Sequence, residues 1–388
     1  MKANSQAPII VHNQGSDAVS DLLFRYKQIR AQTEKLCAPL SPEDCQVQSM
    51  TEASPAKWHL AHTSWFFETF ILQQAISNYH PFHTGYNFLF NSYYNAVGSR
   101  HPRPARGLLT RPALDEIYAY RHFVDEQIAN LFHQPDKVEM LKQLIELGLN
   151  HEQQHQELIL TDIKHLLSIN PLRPVYKQTP AHPTTTKTEL QWQSFSGGLC
   201  KIGYEGEGFC FDNELPRHQV FIEPFELATR LVTNEEYLAF INDGGYKRPE
   251  LWLSDGWYMV QSQGWQAPLY WEESERGWQV FTLSGLVDVR LDEAVCHVSF
   301  YEADAFAHWS GTRLPTEAEW ETATNDIEIK GNFAESEIYH PAPAQSHSQL
   351  FGDVWEWTQS SYSPYPNFKP AEGAIGEYNG KFMCNQMV

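Results

Sequence analysis

The segment Asn150-His151-Glu152-Gln153-Gln154-His155-Gln156-Glu157 constrains this chain more than any other feature. It lies in an amphipathic run in which Met140, Leu144, Leu147, His151, His155 and Leu158 follow one another in steps of three and four. Such spacing predicts one buried face of a long helix over 136–168. Gly148 lowers helix propensity one position off that face but leaves the register intact. Two imidazoles at i and i+4 on a buried seam can share one metal ion. The structural alternative is a pair of core histidines satisfied by hydrogen bonds.

A third ligand is needed, and Trp58-His59-Leu60-Ala61-His62 on a second predicted helix, 55–77, offers two candidates. His62 shares a stripe with Trp58 and Trp65, and His59 lies on the neighbouring stripe. Spacing does not choose between them. Either would give an all-imidazole site with open positions, suited to Fe(II) oxygen chemistry or zinc hydrolysis rather than a closed structural site. His151-Glu152-Gln153-Gln154-His155 is also a literal His-Glu-x-x-His, the zinc-hydrolase helix with Glu152 as general base.

Two further helices, 17–36 and 113–134, complete an expected antiparallel four-helix bundle over 18–168. The intervening stretch 78–111 holds seven Phe or Tyr residues between 79 and 94. It ends in adjacent Tyr93 and Tyr94, which could supply a proton to bound oxygen or simply pack. Arg100, Arg103, Arg106 and Arg111 follow with no intervening acid, a local positive patch that fits a small carboxylate or a solvated loop. Residues 169–189 hold four prolines and a Thr run and predict a linker. From 190 to 388 Gly, Trp and short alternating runs predict a separate α+β domain, WYMVQSQGWQAPLYW and the Trp355-x-Trp357 pair among the strand-like pieces. Helical islands are expected at Thr233–Asn242 and Ser299–Trp309, each with a capping-box start, and Pro315-Thr316-Glu317 carries helix-start chemistry.

With 28 basic against 48 acidic residues, the net charge of −20 argues against coating nucleic acid or anionic membrane. No apolar stretch approaches a membrane span. Residues 1–17 lack a signal peptide's apolar core. The six scattered cysteines do not form a disulfide or zinc framework, so a reduced, cytoplasmic protein is expected.

Taken together, WHLAHTSWFFE and NHEQQHQEL resemble a DinB-like metal-binding bundle. VSFYEADAFAHWSGTRLPTEAEWE and GDVWEWT resemble the formylglycine-generating-enzyme (sulfatase-modifying factor) domain, a C-type-lectin-like fold. The fusion resembles the sulfoxide synthases of ergothioneine biosynthesis, also called hercynine oxygenases. The resemblance implies non-haem Fe(II) held by His62, His151 and His155. It implies O2-dependent joining of cysteine or γ-glutamylcysteine to hercynine, a quaternary-ammonium betaine that aromatic faces would hold. It places Gln154 by hercynine, gives Tyr93 and Tyr94 the proton-donating role, and makes Arg103 and Arg106 candidates for the thiol's carboxylate. Formylglycine generation itself is not expected, because no cysteine pair stands out to bind copper. Rival readings are a paralogue making ovothiol or a selenium analogue, the zinc hydrolase, and a binding module without its metal. The resemblance also implies a continuation beyond Val388, without which a sheet edge and part of the hercynine pocket would be incomplete.

Overall fold

The computed structural model describes residues 14–179, 188–345, 349–379, 382 and 385–388, with side chains from residue 19 onward. Most of the 1–17 segment, the middle of the expected linker and parts of the NGKFMCNQMV end fall outside those residues. The chain divides into two compact units, Met1–Leu166 and Leu167–Val388.

The N-terminal unit is built on helices α1 (Gln14–Cys37), α2 (Pro42–Gln46), α3 (Ala56–Phe67), α4 (Gln73–Ala75), α5 (Tyr86–Phe90), α6 (Leu114–Leu131) and α7 (Pro135–Ile169). The four long predicted helices are therefore present, and a π-helical turn at Glu68–Leu72 joins α3 to α4. Pro55 precedes α3 in an extended conformation, where its missing N–H costs no helix bond. Every residue of α3 is buried. A helix buried on all sides is the central element of its bundle, and its two histidines are buried with it.

The buried stripe on α7 differs from the expected one. Met140 and Leu158 are exposed, and the apolar core line is Val138, Leu141, Ile145, Leu149, Ile159 and Ile163. Glu152 occupies that line where an apolar residue would be expected, and it is fully buried. The helix buries a face wide enough for two adjacent stripes. His151 and His155 lie on the flank of the core line and remain buried. Gly148 is required here: a Cβ would meet Phe67 Cε1 at 2.8 Å.

Glu152 is held by all the other bundle helices or their partners. Its Oε1 accepts from Thr33 Oγ1 at 2.7 Å and Arg121 Nη2 at 3.0 Å, and its Oε2 accepts from Arg30 Nη1 at 3.0 Å. Arg30 also donates to Ser64 Oγ of α3, and Arg121 to Leu60 O and Thr63 Oγ1. This polar core ties α1, α3, α6 and α7 together.

In the second unit, β1 (Trp192–Phe195) pairs antiparallel with β4 (Phe225–Ala228), and β2 (Gly198–Ile202) with β3 (His218–Ile222). A meander of β5 (Trp271–Ser274), β6 (Gly277–Thr282) and β7 (Gly285–Asp288) follows. Residues 176 and 177 donate their amides to Leu283 O. Helix α8 (Asn234–Asn242) and helix α10 (Phe300–Trp309) start on the expected Thr233 and Ser299 capping boxes. Helix α11 (Glu317–Thr324) starts on Thr316. Two strand expectations fail. Ser254–Gln263 is a helix, α9, whose Val260 joins the Tyr237, Phe240, Tyr246 and Trp252 core and whose end is set by Gly264 at φ 66°. The alternation of WYMVQSQ disguised a helix one turn of which was polar. The Trp355-x-Trp357 piece forms no ladder. Trp355 faces outward at 86% exposure, whereas the Trp357 indole donates Nε1–H to Val298 O and packs edge-on against Phe300, and Glu356 between them is bonded by Trp320 Nε1. Desolvation pushes its carboxyl up to about 7.

Candidate metal centre

Helix α3 carries His59 and His62 one turn apart, and α7 carries His151 and His155 one turn apart, on facing buried surfaces. His62 Nε2 lies 3.2 Å from His151 Nε2, and His155 Nε2 lies 3.1 Å from the same atom. His62, His151 and His155 are the one group among the described residues able to converge three ligand atoms on a metal ion.

Hydrogen bonds define where the lone pairs point. Phe90 O can only accept, so His62 donates Nδ1–H to it at 2.6 Å and keeps a lone pair on Nε2. His59 Nε2 lies 3.0 Å from Asp162 Oδ2, and His59 Nδ1 lies 2.8 Å from His155 Nδ1. Burial drives the His62 and His155 pKa values well below the ordinary histidine value, helped by neighbouring imidazoles, and desolvation pushes His151 down to about 3. Three neutral imidazoles therefore face one another.

The donor set fits a metal. Metal–nitrogen bonds of about 2.0–2.1 Å put adjacent donors about 2.9 Å apart at a right angle and about 3.4 Å apart at a tetrahedral angle. The observed 3.1 and 3.2 Å lie between. A proton on His151 Nε2 satisfies one neighbouring lone pair at a time, whereas a cation satisfies all three.

Aromatic rings enclose the cluster. Trp58 stacks on His62 with centroids 4.6 Å apart, and Phe66 packs on His151 at 4.6 Å. Tyr94, fully buried, packs against Trp65, Phe66 and Phe70, one ring removed from the imidazoles, and Tyr93 stacks on it at 4.6 Å. Arg106 is buried, with its guanidinium 3.4 Å from the Trp58 ring centroid and its Nη1 donating to Ser54 Oγ. Its Nε has no hydrogen-bond partner among the described residues. Desolvation, with Arg103 and Arg100 nearby, pushes its pKa down to about 9. A buried cation with a spare donor and no bonded carboxylate is a site prepared for an anion. Arg103 lies at the surface, bonded to Glu52 O, and Gln154 is exposed on α7 beside His155.

Burial alone would raise the Glu152 carboxyl, but Arg30 and Arg121 hold it below the usual range. Both its oxygens are engaged away from the histidines. Sequence reasoning missed this network and the contact of Asp162 with His59. Both were marked by charged residues standing on apolar stripes: Arg30 one turn from Tyr26, Arg121 beside Ile117 and Val124, and Asp162 on the His151–His155 stripe.

Residues 25–159 match the DinB superfamily, and residues 177–348 match the sulfatase-modifying factor enzyme 1-like domain. The chain is 33% identical over 248 residues to a hercynine oxygenase of Mycobacterium tuberculosis, a match spanning 57% of each chain. It is 33% identical to a hercynine oxygenase of Mycolicibacterium smegmatis over 58% of this chain and 57% of that one. A 27% match covering 42% of this chain and 21% of the relative joins it to ergothioneine biosynthesis protein 1 of Schizosaccharomyces pombe. The chain thus spans under two thirds of the length of these relatives. It resembles the hercynine oxygenases, and its DinB-like and sulfatase-modifying-factor domains form the fusion expected from the motifs. No helix among the described residues is long and apolar enough to cross a membrane.

Proposed function

We propose that this chain is a non-haem iron(II) sulfoxide synthase of ergothioneine biosynthesis. It uses O2 to join a cysteine-type thiol, cysteine or γ-glutamylcysteine, to the imidazole of hercynine. The observation that carries this reading is the convergence of three buried, neutral imidazoles in a chain similar to hercynine oxygenases. Iron(II) bound there supplies the redox chemistry that O2 requires and that zinc lacks.

His62, His151 and His155 would hold the metal by Nε2 and, being neutral, would leave its charge undiminished. Arg106 binds the thiol substrate's carboxylate through its spare Nε–H, while Trp58 fixes the guanidinium plane and separates it from His62. Arg103 is the second, more exposed basic group on that route. Gln154 contacts hercynine. Tyr94, with Tyr93 stacked on it, would be the residue that holds a phenol proton available to the reaction. The hydrolase reading lacks its base, because the Glu152 carboxylate is committed to Arg30, Arg121 and Thr33.

The decisive experiment is anaerobic reconstitution with Fe(II), followed by hercynine, each thiol in turn, and O2. The expected product is a hercynine–thiol sulfoxide identified by mass, with no product from the zinc-loaded chain. Peptide cleavage by the zinc form, with no sulfoxide from the iron form, would overturn the reading.

Three substitutions probe the roles. Arg106→Ala removes a charge-assisted bond, so KM for the thiol is expected to rise about 10–100-fold with KM for hercynine unchanged. An equal rise in both would assign Arg106 to packing. Tyr93→Phe and Tyr94→Phe should bind iron normally. At least one should slow C–S bond formation about 100-fold or divert turnover to thiol oxidation. Unchanged product ratios in both variants would leave the tyrosines a packing role alone.

A further inference from the structure

Asp162 stands on the same helical stripe as His151 and His155, nearly two turns beyond the latter. Its Oδ2 accepts from two donors: the backbone N–H of Ser54 at 2.8 Å and His59 Nε2 at 3.0 Å. His59 is buried, and its other nitrogen, Nδ1, lies 2.8 Å from His155 Nδ1. Ser54, in turn, accepts from Arg106 Nη1 at 2.9 Å through its hydroxyl.

We propose that Asp162 and His59 are positioning residues that set the tautomer of His155 and so aim its Nε2 lone pair into the metal centre. The proton inventory leads there in three steps. A carboxylate oxygen carries no proton, so His59 must donate Nε2–H to it. A neutral imidazole has one N–H, so His59 Nδ1 is left as an acceptor. His155 must then donate Nδ1–H to His59, and its own acceptor nitrogen is Nε2, the atom facing His151. His62 reaches the same tautomer in one step, through Phe90 O. The two ligands are therefore oriented by different means: a rigid backbone carbonyl for one, a two-residue side-chain relay for the other. Partners of this kind fix ring orientation and ligand basicity, and their removal typically weakens metal binding about 10–100-fold. The anchor of the relay is unusual in its position. The Ser54 amide holds the Asp162 oxygen, and the Ser54 hydroxyl is held by Arg106, the guanidinium assigned above to the substrate carboxylate. Ser54 thus joins the anion subsite to the Asp162–His59 relay that ends on the metal ligand.

This inference rests on the metal-centre reading only for its second readout. The first uses metal-free protein: histidine 15N NMR reports directly which nitrogen of His155 carries the proton. The wild-type chain is expected to show His155 as the Nδ1–H tautomer. His59→Phe, which keeps a buried ring and leaves the Asp162–Ser54 bond intact, and Asp162→Ala should both release it to a mixture. Asp162→Asn should largely preserve it, because an amide oxygen accepts from the same two donors. The second readout is Co(II) affinity, followed by the d–d spectrum of the full chain. The Phe and Ala variants should bind about 10–100-fold more weakly, and the Asn variant should recover most of that loss. A His155 signal and a Co(II) affinity unchanged in His59→Phe would overturn the relay, including where Asp162→Ala does not fold. Wild-type protein that binds no Co(II) would instead overturn the metal centre, and the NMR comparison would still decide the relay.

Discussion

His62→Ala, His151→Ala and His155→Ala are each expected to abolish stoichiometric metal binding and with it all sulfoxide formation. Each removes one of the three nitrogens that converge within the cluster. Two imidazoles then remain in a pocket walled by Trp58, Trp65 and Phe66, with no other ligand group among the described residues placed to replace the third. His59→Ala is the contrasting case. His59 reaches His155 by its Nδ1 and not the cluster by Nε2, so this variant should keep its metal at reduced affinity. Metal content after Fe(II) or Co(II) loading and desalting separates the two classes. Loss of metal in His59→Ala with retention in His62→Ala would show that α3 presents the other histidine to the metal.

The choice between His59 and His62 marks the limit of what was legible. Helical spacing put both on α3 and both near the seam, and the family motif favoured His62. The feature that separates them is a pair of acceptors far away in sequence. Phe90 O takes the Nδ1–H of His62, and Asp162 takes the Nε2–H of His59. No local pattern reports a partner so remote. Long helices and their caps were legible because each depends on a few adjacent residues, as at Thr233 and Ser299. The register of α7 was not, because the apolar line was interrupted by Glu152. A carboxylate reads as surface unless its two arginines, on other helices, are known. Among the loop residues, Arg103 and Arg106 had equal claims by composition. Packing made them different, since Arg106 lies buried against Trp58 while Arg103 stays at the surface.

The two networks on α7 diverge at adjacent positions. His151 turns toward α3 and His62, and Glu152, one residue on, turns toward Arg30 and Arg121. A motif that in a hydrolase would place imidazole and carboxylate on one reaction is here divided between a site and its scaffold. The carboxylate's function is then to hold α1, α6 and α7 in the arrangement that keeps the imidazoles aligned.

Glu152→Gln should therefore behave as a folding variant. Glu152 is fully buried between two guanidiniums that are 3% and 0% exposed. Removing one partner from a buried ionic network leaves charge without compensation and typically costs about 3–5 kcal/mol. An amide keeps the shape but offers one acceptor where two oxygens served three donors, and it turns an N–H₂ toward an arginine. The expected result is a bundle that unfolds at distinctly lower urea concentration, by roughly that free energy, and loses metal as it unfolds. The wild-type pH dependence should carry the same signature. The arginines hold the Glu152 carboxyl below its ordinary value. Its contribution is therefore complete above the unfolded value of about 4.3 and is lost as the pH falls through the folded one. Glu152→Gln should flatten that part of the acid limb. In a hydrolase using Glu152 as base, the same substitution would leave stability and metal content near wild type and remove turnover alone. A folded, metal-loaded Glu152→Gln protein of undiminished stability would return the carboxylate to the chemistry and take it out of the scaffold.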